Sequence, residues 1–172
     1  MSNVLFKRRE REIGNAVEIV ARKGCNEILE KEKKKAETES QNQGEKDGLV
    51  GIAVSYDMGW QKRGKGHNSF TGHGTTMGLV TGKVLSYATR CKSCRVCDSS
   101  KRSGKAAKNH DYRKNHAGSS KSMERDVACE LWRSAPIAGV KVPYVYQFYQ
   151  SKTSVNRVLV LTLEKKCFPI KQ

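Results

Sequence analysis

The 172-residue chain has no apolar run approaching the ~20 residues that cross a bilayer, and Met1–Glu10 is charged where a secretory leader carries an apolar stretch. No membrane span or secretory leader is therefore expected, and the chain reads as a soluble intracellular protein. Apolar side chains are scarce: they make up 37% of the chain, below the roughly 45–50% of an average domain. A core can form, but not a large one. Acids are scarcer still, with 17 Asp and Glu against 33 Lys and Arg, a net charge of +16 and a pI of about 9.8. This deficit disfavours enzymes that act on neutral or acidic small molecules and points to polyanions, nucleic acid first.

The imbalance is local. Residues 1–60 hold 11 basic and 11 acidic groups, residues 61–125 hold 15 and 3, and residues 126–172 hold 7 and 3. Three quarters of the excess lies between Gln61 and Arg125, so attraction to phosphate is expected there. Lys62, Arg63, Lys65, Arg113, Lys114 and Lys121 are the side chains expected to meet DNA.

Ile13, Ala16, Val17, Val20 and Ala21 recur at helical spacing, and Ile28 and Leu29 continue the stripe. The pattern predicts an amphipathic helix over 1–36 and a polar linker over 37–48. Leu49–Asp57 is short, apolar and rich in β-branched residues, which predicts a buried strand ending in an acid, with Met58-Gly59-Trp60 turning into a basic loop. A second strand is expected over Ser69–Leu79, where four nearby glycines weaken it or let something approach its backbone closely. Thr81-Gly82 reads as a two-residue hairpin turn and Lys83–Arg90 as the third strand. Met123, Val127, Leu131, Ala128 and Trp132 form the face of a further helix capped by Ser119 or Ser120, and Val140–Gln150 and Asn156–Leu163 read as strands.

Arg90–His116 has neither period. It carries Cys91, Cys94, Cys97, His110 and His116 among Lys, Arg, Ser and Asn. A zinc ion takes four sulfur or nitrogen ligands, and a two-residue gap lets one turn place two sulfurs on one ion, as in Cys94-Arg-Val-Cys97. In a lysine-rich intracellular chain such cysteines suggest metal ligation or free thiols more than disulfides. The expected ligands are Cys94, Cys97 and His110, with His116 or Cys91 as the fourth; free thiols on a loop are the alternative.

Several of these segments together resemble one family. Val54-Ser-Tyr-Asp-Met-Gly-Trp-Gln-Lys-Arg-Gly64, Thr81-Gly-Lys-Val-Leu85, the Cys-x-x-Cys and Asn115-His-Ala-Gly-Ser-Ser-Lys-Ser-Met-Glu124 occur in the order seen in Mutator-like transposase domains, over roughly Glu18 to Trp132. The resemblance implies a partial ribonuclease H-like fold, α+β or α/β, built from a three-stranded antiparallel meander and a helix. It divides the chain into an N-terminal helix, the linker, a catalytic-like unit over 49–136 with a metal-loop insertion at about 90–118, and a divergent tail over 137–172. It further implies DNA as partner, a nuclear location, and Asp57 as the first of three acids that hold two Mg²⁺ or Mn²⁺ ions for strand cleavage and transfer.

The sequence also departs from that pattern. The family carries its second Asp on the strand after the Ser-Ser-x-x-Met-Glu helix, whereas here Asp126 is the last Asp and Glu164 the only acid after Glu130. The second and third acids are thus not found. Tyr112 stands where the family commonly has a Cys, which weakens the zinc site. The expectation is a truncated transposase domain that binds DNA without cutting it as an isolated chain. The alternative is a nonenzymatic, zinc-dependent nucleic-acid-binding module in which Asp57 is structural.

Overall fold

The structure, a computed structural model, describes residues 3–39, 48–62, 69–110, 112–149 and 157–161. Helix α1 (Asn3–Glu39) precedes strands β1 (Val50–Trp60), β2 (Thr71–Gly78) and β3 (Val84–Cys91). Helices α2 (Arg95–Ser103) and α3 (Ser120–Ser134) follow, then a short 3-10 turn (Pro136–Ala138) and strands β4 (Val140–Tyr149) and β5 (Arg157–Leu161). The strands form one sheet in the order β3-β2-β1-β4-β5. β1, β2 and β3 are an antiparallel meander, β4 pairs parallel with β1, and β5 pairs antiparallel with β4. The chain is thus a mixed α+β unit.

Strand β1 does not stop at its acid. Gly59 and Trp60 pair with His73 and Gly72, so the strand runs three residues past Asp57, and β1 is the central strand. The reason is the two-residue alternation of a strand: Ile52, Val54, Tyr56 and Met58 are buried on one face, while Asp57 points to the solvent on the other. An acid on the open face does not end a strand.

The buried face of β1 meets α3. Met123 and Val127 are fully buried, and Leu131 and Trp132 nearly so, which is the face the helical spacing predicts. Ser119 caps the helix by accepting the Ser122 N–H at 3.2 Å. The Tyr56 hydroxyl donates to the Glu124 carbonyl at 3.1 Å, and its ring meets Trp132 edge-on at 5.9 Å. Gly74 permits the close approach, because a Cβ there would collide with Val127 and Tyr56. The glycine-rich strand is therefore a seat for a helix.

Among the described residues, the second half of α1 is the part that packs on the sheet. Ile13, Val17 and Val20 are more than half exposed, whereas Ile28, Leu29 and Ala36 join the core. Glu32 is fully buried, and its carboxylate accepts the Val80 and Thr81 N–H groups at 3.0 and 2.9 Å. It lies against Gly78, where a Cβ would strike it. This contact explains why the β2–β3 connection is longer than a two-residue turn: Gly78 N–H bonds the Lys83 carbonyl, and the loop between them is held by the helix. Gly82 takes φ +64° inside it.

Candidate metal centre and the strand bearing Asp57

The stretch from Cys91 to His116 hangs from the edge strand β3. Asn115 closes its base: its side-chain oxygen accepts the Cys91 N–H at 2.7 Å and its amide donates to the Thr89 carbonyl at 2.8 Å. The Asn115 and His116 N–H groups both reach the Cys91 carbonyl, at 2.9 and 3.1 Å. Helix α2 within it buries no residue. Its shape is therefore set by polar contacts and not by a core.

Cys94 is the residue before α2, Cys97 lies in the helix's first turn, and His110 returns to them from the far side of the loop. The His110 Nε2 lies 3.1 Å from the Cys94 sulfur and 3.3 Å from the Cys97 sulfur. Ligand atoms of all three fall within 4.8 Å of one another, a group that could hold a metal ion. His110 Nδ1–H donates to the Lys108 carbonyl at 2.7 Å, which leaves Nε2 as the lone-pair nitrogen facing the sulfurs and fixes the ring as a backbone carbonyl commonly does for a ligating histidine. The Cys94 thiol is held below the usual range, chiefly by the Cys97 N–H directed at it, while burial and Cys94 push Cys97 up. One sulfur is thus predisposed to the thiolate form that metals bind.

Cys91 and His116 lie outside this group. Cys91 accepts from the Thr71 hydroxyl at 3.6 Å and donates to the Ser93 carbonyl at 3.1 Å. His116 Nδ1 lies 3.2 Å from Asp126, and its Nε2 lies 2.9 Å from the Ser122 hydroxyl and 3.2 Å from the Ser119 carbonyl. Tyr112 is exposed and meets the His110 ring edge-on at 6.2 Å.

His116 belongs to an ion network that sequence spacing did not reveal. The Arg90 guanidinium, mostly buried, binds Asp126 at 2.6 Å and also Glu130. Asp126 and Glu130 are one helical turn apart on α3, and Arg90 reaches them from β3. The Arg90 hydrogen bond, with His116 second, holds the Asp126 carboxyl below its ordinary range. Ser120, fully buried, donates to the Ser69 carbonyl and accepts from the Lys92 ammonium, both at 2.7 Å. The run Asn115–Glu124 is therefore the staple that joins β3, the loop and α3.

Asp57 stands opposite Thr75 on β2. On its other side β4 runs parallel, with Val54 opposite Val145 and Ser55 opposite Tyr146. The β4 residues that follow are Gln147, Phe148 and Tyr149, none of them an acid. Among the described residues Asp57 joins no group of three or more His, Cys, Asp or Glu close enough to share an ion.

The candidate phosphate contacts are spread out. Lys62 is exposed at the end of β1 with its ammonium 5.6 Å from the Phe70 ring centre, and Arg113, Lys114 and Lys121 are exposed on the loop and on α3. Arg63 and Lys65 lie outside the described residues. Among the described residues no helix is long and apolar enough to cross a membrane.

The family model described as Mutator-like transposase matches residues 1–146. The chain belongs to the Mutator-like transposase family. The match extends beyond the Glu18–Trp132 span that the motifs cover, taking in all of α1 and most of β4. No curated protein and no solved structure matches the chain. The strand after the Ser-Ser-x-x-Met-Glu helix is thus present, and inside the family match for most of its length, but it carries no Asp.

Proposed function

We propose that the chain is a DNA-binding transposase domain of ribonuclease H-like architecture, nuclear, with a zinc ion in its Cys/His loop and without strand-cleaving activity of its own. One observation carries this reading: the strand beside Asp57 offers Tyr146, Gln147, Phe148 and Tyr149 where the family's second Asp is expected. Two-metal catalysis clamps the attacking and leaving oxygens of a phosphodiester between ions about 3.5–4 Å apart, which needs several carboxylates converging. Asp57 alone supplies one. It can help hold a single Mg²⁺ or Mn²⁺ weakly, but it cannot position a pair.

What remains is binding. The net charge of +12 between Gln61 and Arg125 favours phosphate contacts, each of which releases counterions from the duplex. The donor set of Cys94, Cys97 and His110 suits zinc, since two sulfurs and an imidazole are borderline-soft ligands. The Cys/His group also favours a second reading, a nonenzymatic module whose nucleic-acid binding depends on its metal. Fluorescence anisotropy with a duplex over a salt series separates the two. The expected result is affinity falling linearly in log–log form with salt, a shallower slope when Lys62, Lys114 and Lys121 are changed to Gln, and binding that survives chelation. Loss of all binding on chelation supports the second reading, and salt-insensitive binding contradicts both.

A further inference from the structure

The proposed metal centre lacks a fourth protein ligand among the described residues. The two side chains that sequence spacing offers for that place are engaged elsewhere. Both ring nitrogens of His116 are used, by Asp126 on one side and by Ser122 and Ser119 on the other. Rotating the ring toward the sulfurs would break the staple at the start of α3 and strip Asp126 of a partner. The Cys91 sulfur is held between Thr71 and Ser93 at the end of β3. Structural zinc sites are closed by four protein ligands, whereas a site with three keeps a position for water or an exogenous group.

The chemistry of that position follows from charge. Two thiolates and a neutral imidazole leave a bound dication formally neutral, so the centre itself does not repel an anion. Its surroundings attract one: between Cys91 and His116 the chain carries 8 Lys and Arg against 2 Asp. Cys94 is buried, Cys97 and His110 are half-buried, and α2 beside them buries no residue. We infer that the metal held by Cys94, Cys97 and His110 takes a phosphate-type oxygen as its fourth ligand. The inference rests on the metal-centre reading above and goes beyond it: the loop becomes a point of direct phosphate coordination as well as a folded support. Binding exchanges a metal-bound water for the phosphate oxygen and requires no covalent or redox step.

Cobalt(II) reports this directly. Added to the reduced full-length chain, it is expected to give sulfur-to-cobalt charge-transfer absorption and the strong visible bands of a four-coordinate ion. Inorganic phosphate in one arm, and a short DNA duplex in the other, are expected to shift the visible bands while leaving the charge-transfer band in place. A shift with phosphate alone assigns the position to a free anion, and a shift with both assigns it to DNA phosphate as well; each supports the inference. Cobalt bound with bands that respond to neither overturns it while leaving the metal-centre reading intact. No charge-transfer band at all overturns both. Cys91→Ser, His116→Ala and Asp111→Asn, the last at a position outside the described residues, are expected to leave the cobalt bands of the anion-free protein unchanged, whereas weaker charge-transfer absorption in Cys91→Ser, or displaced visible bands in His116→Ala or Asp111→Asn, would identify a protein fourth ligand and refute an open position. If His116→Ala fails to fold, the Cys91→Ser variant and the phosphate arm still decide.

Discussion

The sheet with α3 and the Cys91–His116 loop are adjoining regions held together by different physics. The first buries Met123, Val127, Leu131 and Trp132 of α3 against Tyr56, Met58 and the glycines of β2. The second contains a nine-residue helix with no buried residue, a base closed by Asn115, and two cysteines facing a histidine. Apolar burial sustains a cooperative fold at about 25 cal/mol per Å². The loop has almost nothing to bury, so its order rests on its polar contacts and, in the proposed reading, on a metal that cross-links Cys94, Cys97 and His110. Adjacent segments can thus respond to separate perturbations.

Removing the metal should produce the largest effect, confined to one side of that comparison. With chelator, amide hydrogen exchange is expected to accelerate across residues 92–110 and to stay slow in β1, β2 and α3. Uniform acceleration throughout the chain would show that the two regions form one cooperative unit. The converse perturbation is Met123→Ala, which removes a fully buried side chain and should cost about 2–5 kcal/mol in denaturant unfolding. Metal affinity of the folded variant is expected to be unchanged. A matching loss of affinity would tie the centre to the core.

A smaller effect tests the seam between the regions, where Arg90 and His116 meet Asp126. The Asp126 carboxyl lies below its ordinary range in the folded chain because the Arg90 hydrogen bond favours its charged form. A depressed carboxyl gives stability that is fully present above its unfolded value of about 3.9 and is lost as pH falls through the lower folded value. Half of the Asp126 side chain is exposed, so screening keeps the contribution small. Asp126→Asn is therefore expected to flatten the stability–pH curve below about pH 4. An unchanged acid limb would show that the pair contributes nothing there.

How much of this was legible in the sequence differs between the regions for the same reason. Periodicity reports burial, so the α3 face and the meander could be read from Met123, Val127 and Leu131 and from the alternation in β1. Asp57 misled as a strand terminator because a single acid at an exposed position looks the same as one at a turn. The two-residue turn at Thr81-Gly82 failed because Glu32, some fifty residues earlier, holds the loop. In the loop, the spacing of Cys94 and Cys97 signalled proximity, and His110 joined them. No spacing could assign His116 to Asp126, since that contact depends on how α3 docks on β3. The Asn115–Glu124 motif was read as a mark of ancestry, and its side chains turn out to be the fasteners of that docking.

The family of the chain and the register of β4 against β1 together support the central proposal, a transposase domain in which Asp57 joins no cluster of carboxylates among the described residues. The direct measurement is nicking of supercoiled plasmid by purified chain in Mn²⁺, with Asp57→Ala alongside. No metal-dependent nicking is expected from either protein, at concentrations where both bind the plasmid. Nicking by the native chain that disappears in Asp57→Ala would contradict the proposal, and would mean that another part of the chain delivers a carboxylate to Asp57.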